Sequence, residues 1–128
     1  MPFTPPPVDD VLAGLTDRFG SLGTSVYRGQ TRVVVPAEAS FDALAWLKER
    51  GFDLLVDVTC VDYLDYPDAT HRYGLVYLLA STTTNQRLTI RVFVDDPDPT
   101  VRSVVLLWAG ASWLEREVWD MFGIRFTG

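Results

Sequence analysis

The sequence predicts an α+β fold: a two-layer sandwich in which a mixed, mostly antiparallel sheet of about five strands carries helices packed on one face. Three observations support that expectation. Helical and two-residue periodicities follow one another along the chain. Two of the longer strand patterns are joined by a short polar link, which suits an antiparallel hairpin. The 128 residues, 48% apolar and 22% charged, match the size and composition of one domain with one core. No repeat, low-complexity tract or interior linker interrupts them, so residues 8–128 read as a single domain behind a Pro-rich lead-in over residues 1–7.

Pro5, Pro6 and Pro7 cannot join a helix interior and predict an extended approach to the first helix. Val8, Val11, Leu12, Leu15 and Phe19 then recur at helical spacing, with Asp9 and Asp10 in the first turn and Gly20 at the end. Two short β-rich runs, 24–27 and 31–35, flank Arg28-Gly29-Gln30, a hairpin turn, and Pro36 ends the second run. Ser40 is positioned to cap a second helix containing Phe41, Leu44, Ala45, Trp46 and Leu47, with Gly51 as its stop.

Three long strands are expected next, over 54–62, 72–81 and 87–94. In the last, Leu88, Ile90, Val92 and Val94 share one face while Thr89 and Arg91 occupy the other, so one sheet face should be wet. The link 82–86 makes the second and third of these strands a hairpin, and Asp95-Asp96-Pro97-Asp98-Pro99 then breaks the sheet, since neither proline can donate a ladder hydrogen bond. Thr100 is expected to cap a helix over 101–107. Ser112 should cap a last helix reaching Phe122, with Gly123 closing it. Ser112 and Glu115 fit the spacing of a capping box.

Composition excludes several functions. The net charge of -6, from 13 Asp and 4 Glu against 10 Arg and the single Lys48, disfavours nucleic acid and anionic lipid. Cys60 has no second cysteine for a disulfide and no companions for a zinc or iron–sulfur site, so it reads as a small core residue. His71 is equally solitary and reads as a loop histidine. The opening seven residues lack the basic and apolar regions of a secretory signal, so the chain is expected to stay in the cytosol. The apolar run 104–111 is too short to span a bilayer.

The stretch Trp113-Leu114-Glu115-Arg116-Glu117-Val118-Trp119-Asp120-Met121-Phe122-Gly123 is the most informative. On a helical wheel Leu114, Val118, Met121 and Phe122 form an apolar stripe toward the core, with Arg116 and Asp120 four apart on the other side. From periodicity alone, Glu115, Arg116, Glu117 and Asp120 read first as a solvated face with capping duties. An exposed Arg116–Asp120 pair is worth only a few tenths of a kcal/mol, so stability is a weak reason for it. Trp108, Trp113 and Trp119 add more aromatic surface than one short helix can cover, and some of it should meet another chain.

That run, with Ile124 after it, closely resembles the signature of the thirty-kilodalton subunit of respiratory complex I, its C subunit. The likeness extends upstream through Asp57-Val58-Thr59-Cys60-Val61-Asp62-Tyr63, Arg72-Tyr73 and Val76-Tyr77-Leu78-Leu79, and through Ser103-Val104 and Leu107-Trp108. It covers about residues 8–128. Members of the family usually carry a His-Pro element and a basic tail after the stretch matching Phe126-Thr127-Gly128. The resemblance implies a cofactor-free, non-catalytic assembly subunit in the peripheral arm of a proton-pumping NADH–quinone oxidoreductase. It would pack against the forty-nine-kilodalton D subunit near the quinone-reducing module, on the cytoplasmic side of the membrane. FMN and iron–sulfur clusters would belong to other subunits. Glu115, Arg116, Glu117, Trp119, Asp120, Phe122 and Gly123 are the signature and docking residues it implies.

Two rivals remain. One is the equivalent subunit of a membrane-bound nickel–iron hydrogenase or related dehydrogenase. The other is a stand-alone small-molecule-binding domain or enzyme with Asp57, Asp62, Glu115 and Glu117 around one deep cleft.

Overall fold

Residues 8–20, 23–27, 30–67 and 69–128 are described by the computed structural model. The expected lead-in over 1–7 and the turn residues Arg28 and Gly29 lie outside them. Helix α1 (Val8–Phe19) is followed by strands β1 (Gly23–Tyr27) and β2 (Gln30–Val34), then helix α2 (Ser40–Glu49). Strands β3 (Leu54–Asp62), β4 (Tyr73–Ala80) and β5 (Arg87–Val94) complete a five-stranded sheet of order β1-β2-β5-β4-β3. Within this sheet only the β2–β5 pairing is parallel; the other three are antiparallel. The architecture is the expected α+β sandwich with a mixed sheet.

Alternation builds the core. Val58, Tyr77, Ile90 and Val33 stand in one cross-strand row, and all are buried. Leu75, Leu79, Leu88 and Val92 extend that face. Leu15 from α1 and Ala43, Leu44 and Leu47 from α2 cover it, all fully buried. Each such large side chain contributes about 1.5–3 kcal/mol through removal from water. The opposite face carries Arg32, Thr89, Leu78 and Asp57 in the neighbouring row, a mixture that leaves it without a helical cover. A bulge between Leu55 and Asp57 resets β3 so that Val58 still points inward.

Two local expectations fail for identifiable reasons. Ser40 is not a cap. The 3-10 turn Ala37–Ala39 runs straight into α2, the Ala37 carbonyl takes the Ser40 N–H, and Ser40 is itself buried as the first helical residue. Residues 101–107 do not form a helix. Thr100–Arg102 is strand β6, paired in parallel with β7 (Arg125–Thr127), a strand the sequence did not announce. Thr100 donates its hydroxyl to Asp98 instead of capping a helix, and residues 104–108 make only a turn, with Leu107 and Trp108 N–H groups on the Val104 carbonyl. The β-branched Thr100 and Val101 accept the extended state because β7, beyond the last helix, supplies ladder partners.

The core row sets a measurable expectation. Ile90→Ala removes a fully buried side chain at the centre of the sheet and should lower stability by about 2–5 kcal/mol. A urea midpoint close to that of the parent chain would show that the row is not where the fold is held.

Candidate functional site

Helix α3 (Ala111–Phe122) lies along β3 and presents two unlike faces. Ala111, Glu115 and Val118 are buried, spaced four and three apart, with Leu114 and Phe122 half-buried beside them. Trp113, Arg116, Glu117, Trp119, Asp120 and Met121 point outward. Met121, expected in the inward stripe, is 75% exposed, because the buried arc centres on Ala111, Val118 and Glu115 and leaves Met121 at its margin. Gly123 ends the helix in the left-handed conformation, φ 73°, with its N–H on the Trp119 carbonyl at 2.9 Å. A residue with a Cβ adopts that conformation reluctantly, so glycine fits.

Glu115 does not form a capping box. The helix begins at Ala111 after Gly110, with no side-chain cap, and Ser112 is exposed. Glu115 is only 5% exposed and reaches across to the turn after β6. Its carboxylate accepts the Ser103 hydroxyl at 2.6 Å and the Val104 N–H at 2.9 Å. Burial raises its pKa above the ordinary glutamate value, and those two donors act in the opposite direction. Of the seven signature residues, Glu115 is therefore structural, Phe122 and Gly123 finish the helix, and Arg116, Glu117, Trp119 and Asp120 form its outer surface.

That surface is large and apolar for a short helix. Trp113 is 67% exposed and Trp119 49%, and Leu106 in the adjoining turn is 78% exposed. Between α3 and β7 runs an open groove of about 680 Å³ bordered by Val105, Arg116, Trp119, Arg125 and Phe126. The Arg116–Asp120 pair, 3.9 Å apart and well exposed, contributes little to stability. Trp108 is different from its neighbours. It is buried, its indole N–H donates to the Asp53 carbonyl at 3.1 Å, and Lys48 sits over its ring, so it belongs to the domain interior and not to the contact surface.

The four carboxylates of the enzyme reading are not gathered in one cleft. Asp57 borders a trough on the open sheet face and Glu115 the α3 groove, while Glu117 is exposed. Asp62 is held by both Nε and Nη2 of Arg72, at 2.7 and 3.1 Å. Arg72 also reaches Asp96 at 2.8 Å, and its N–H donates to Asp95, whose other oxygen meets His71 Nδ1 at 2.7 Å. Sequence reading missed this hub, since His71 and Asp95 are 24 residues apart and Asp95 read only as a sheet breaker. The Arg72 hydrogen bond keeps Asp62 below the usual carboxylate range, and His71 does the same for Asp95. Cys60 is half-buried, and burial pushes its thiol up to about 12. Among the described residues, no three His, Cys, Asp or Glu side chains are grouped to hold a metal ion, and no helix is long and apolar enough to cross a membrane.

Comparison with known proteins gives these features a context. A family model described as respiratory-chain NADH dehydrogenase, 30 Kd subunit, matches residues 33–128. The chain is 40% identical over 122 residues to the C subunit of the NADH-quinone oxidoreductase of Acidithiobacillus ferrooxidans, covering 89% of this chain and 60% of that protein. It is 41% identical over 106 residues to subunit 5 of the Thermus thermophilus enzyme, covering 78% and 51%. The chain thus spans between half and three fifths of the length of these relatives. A trypsin-resistant fragment of Nqo5 superposes with a TM-score of 0.87 at 36% identity, covering 94% of this chain and 96% of the fragment. A chain of an archaeal membrane-bound sulfane sulfur reductase superposes at 0.79 with 23% identity, covering 94% and 71%, a likeness of fold.

Two outcomes follow from the buried and the clustered carboxylates. Glu115→Ala should lose about 2–3 kcal/mol, because the Ser103 hydroxyl and Val104 N–H lose their shared acceptor. Glu115→Gln should lose less, and should also change the pH response. With the folded pKa raised, the Glu115 contribution is complete below the unfolded value near 4.5 and declines as pH rises through the folded value, so Gln should abolish that decline. Asp62 has the opposite sign: its contribution exists above its unfolded pKa and fades as pH falls through the lowered folded value. Thermal melts from pH 5 down to about pH 2 should therefore show a shallower acid loss for Asp62→Asn than for the parent, and parallel curves would dismiss the hub as a stabilising element.

Proposed function

Because this chain belongs to the respiratory-chain NADH dehydrogenase 30 kDa subunit family, we propose that it acts as an assembly subunit of the peripheral arm of an NADH–quinone oxidoreductase. In this reading it docks against the forty-nine-kilodalton D subunit, near the quinone-reducing module and on the cytoplasmic side of the membrane. Electron transfer from NADH to quinone and the coupled proton pumping belong to the complex, with FMN and iron–sulfur clusters in other subunits. The chain itself contributes shape and contacts.

One observation favours α3 as the docking element. Its inner face is already satisfied by Val118, Ala111 and the Glu115 bonds, yet its outer face leaves Trp113, Trp119 and Met121 largely in water. A domain that folds with two indoles and a thioether exposed on one short helix, beside an open groove, has the composition of an interface core. Arg116, Glu117 and Asp120 among them would set orientation through charge. A second reading, the equivalent subunit of a membrane-bound hydrogenase-type complex, is favoured by the fold shared with the archaeal membrane complex.

Co-purification tests the first reading. Trp119→Ala combined with Arg116→Glu and Asp120→Arg should weaken association with the D subunit about tenfold or more, as loss of an aromatic anchor does. Since all three side chains are largely exposed, the variant should retain the parent melting temperature to within a few degrees. Undiminished association would mean that α3 serves only the interior of this domain.

A further inference from the structure

The sheet face turned away from α1 and α2 carries a second feature, independent of α3. At the end where β3, β4 and β5 meet, Tyr63, Tyr66, His71 and Phe93 line an apolar cleft of about 430 Å³. Its walls are ordered against one another. Tyr63 meets Tyr66 edge-on with centroids 5.1 Å apart, and His71 stacks on Phe93 at 5.1 Å with 17° between planes. Tyr63 and Phe93 pack against Gly74. A Cβ there would stand 2.9 Å from Tyr63 Cε2 and 3.2 Å from Phe93 Cε1, so the rings lie on bare backbone that only glycine provides.

Arg91 stands between this cleft and an adjoining trough of about 350 Å³ on the same face, where Val61, Val76 and Leu78 lie among Arg32, Asp57 and Thr89. Its guanidinium lies 5.2 Å from the Phe93 ring centroid and donates through Nη2 to the Tyr63 hydroxyl. Among the described residues, Arg91 meets no carboxylate, and it is half-buried where Arg18, Arg50, Arg87 and Arg102, likewise without an ion pair, are exposed. The nearby Asp62 and Asp95 are occupied by Arg72 and His71. A half-buried guanidinium with one neutral partner and several donors left over is matched by a planar anion able to accept two parallel hydrogen bonds.

We propose that this face receives an extended segment of another polypeptide, with a Glu or Asp carboxylate on Arg91 and flanking apolar or aromatic side chains in the cleft and the trough. A polypeptide fits because cleft and trough share Tyr63 and Arg91 in their walls, so that an aromatic pocket and a trough of mixed polarity flank the Arg91 guanidinium. Arg91 fixes the register and the two pockets contribute the apolar contact area.

The inference stands apart from the α3 reading and is tested on the chain alone. Backbone amide shifts of the ¹⁵N-labelled protein would be followed on titration with Ac-Val-Glu-Phe-Leu-NH2 and with its Gln counterpart. Saturable shifts at Tyr63, Gly74 and Phe93 are expected with the Glu peptide. Affinity should fall about fivefold with the Gln peptide, and about fivefold for Arg91→Gln with the Glu peptide. Gly74→Ala, whose methyl group displaces the Tyr63 ring, should weaken both peptides, while unchanged shifts at Ile90 confirm an intact core. Equal affinity for the two peptides would overturn the proposal, as would shifts that bypass the cleft. Saturation of the same amides by sodium acetate at the peptide's concentration would also overturn it, by assigning the site to small anions.

Discussion

A carboxylate placed beneath α3 connects three parts of the chain that have no other reason to meet. Glu115 takes the Ser103 hydroxyl and the Val104 N–H, and Ser103 in turn gives its own N–H to the Thr127 carbonyl at 2.7 Å and accepts the Val105 N–H on its hydroxyl oxygen. One serine and one glutamate thereby join α3, the turn after β6 and the last strand. Remove the acceptor and the turn carries buried donors with no partner, a larger penalty than the net value of the bonds themselves. The outer face of α3 owes its orientation to this arrangement, because rotating the helix would withdraw the carboxylate from both donors. An acid that looks like surface decoration in the sequence is the reason the real surface residues point where they do.

How much of this was legible depends on how local each cause is. The three long strands and both N-terminal helices follow from periodicity, and their bounds agree closely with the expected ones because alternation in Leu88, Ile90, Val92 and Val94 is decided within the strand itself. Residues 100–102 were misread because their partner β7 is distant and very short. Ser112 and Glu115 satisfied a local capping pattern, yet Glu115 is claimed by Ser103, 12 residues upstream. Ser40 matched a cap composition, but the preceding 3-10 turn had already supplied the acceptor for its N–H. The signature run was recognisable as a resemblance, while its division into one inward acid and an outward aromatic face required the fold.

The charges show a similar division between pattern and placement. Asp95 and Asp96 beside Pro97 signal only a break when read along the chain. In space they complete a hub with Asp62 around Arg72 and give His71 a partner. The net negative charge is thus partly gathered where arginine and histidine meet it, and the cleft beside the hub is left with a cation of its own. Acidic composition described the molecule as a whole without indicating that its two open faces differ, one rich in indole and the other built on tyrosine, phenylalanine and arginine.

The parallel pairing of β2 with β5 has a consequence for how the polypeptide is made. Residues 32–34 find their neighbours at 89–91, so α1, β1, β2 and α2 leave the ribosome well before the strand that seals them onto the sheet. Until then Leu44 and Leu47 of α2 and Val33 and Val35 have no β5 surface to cover, and the nascent N-terminal half carries its apolar face open. The hairpin of β4 and β5 assembles locally and late, and docking onto β2 closes a long loop in a single step. The interval between emergence of α2 and that closure is when the apolar face of the N-terminal half is most exposed to association with the wrong neighbour.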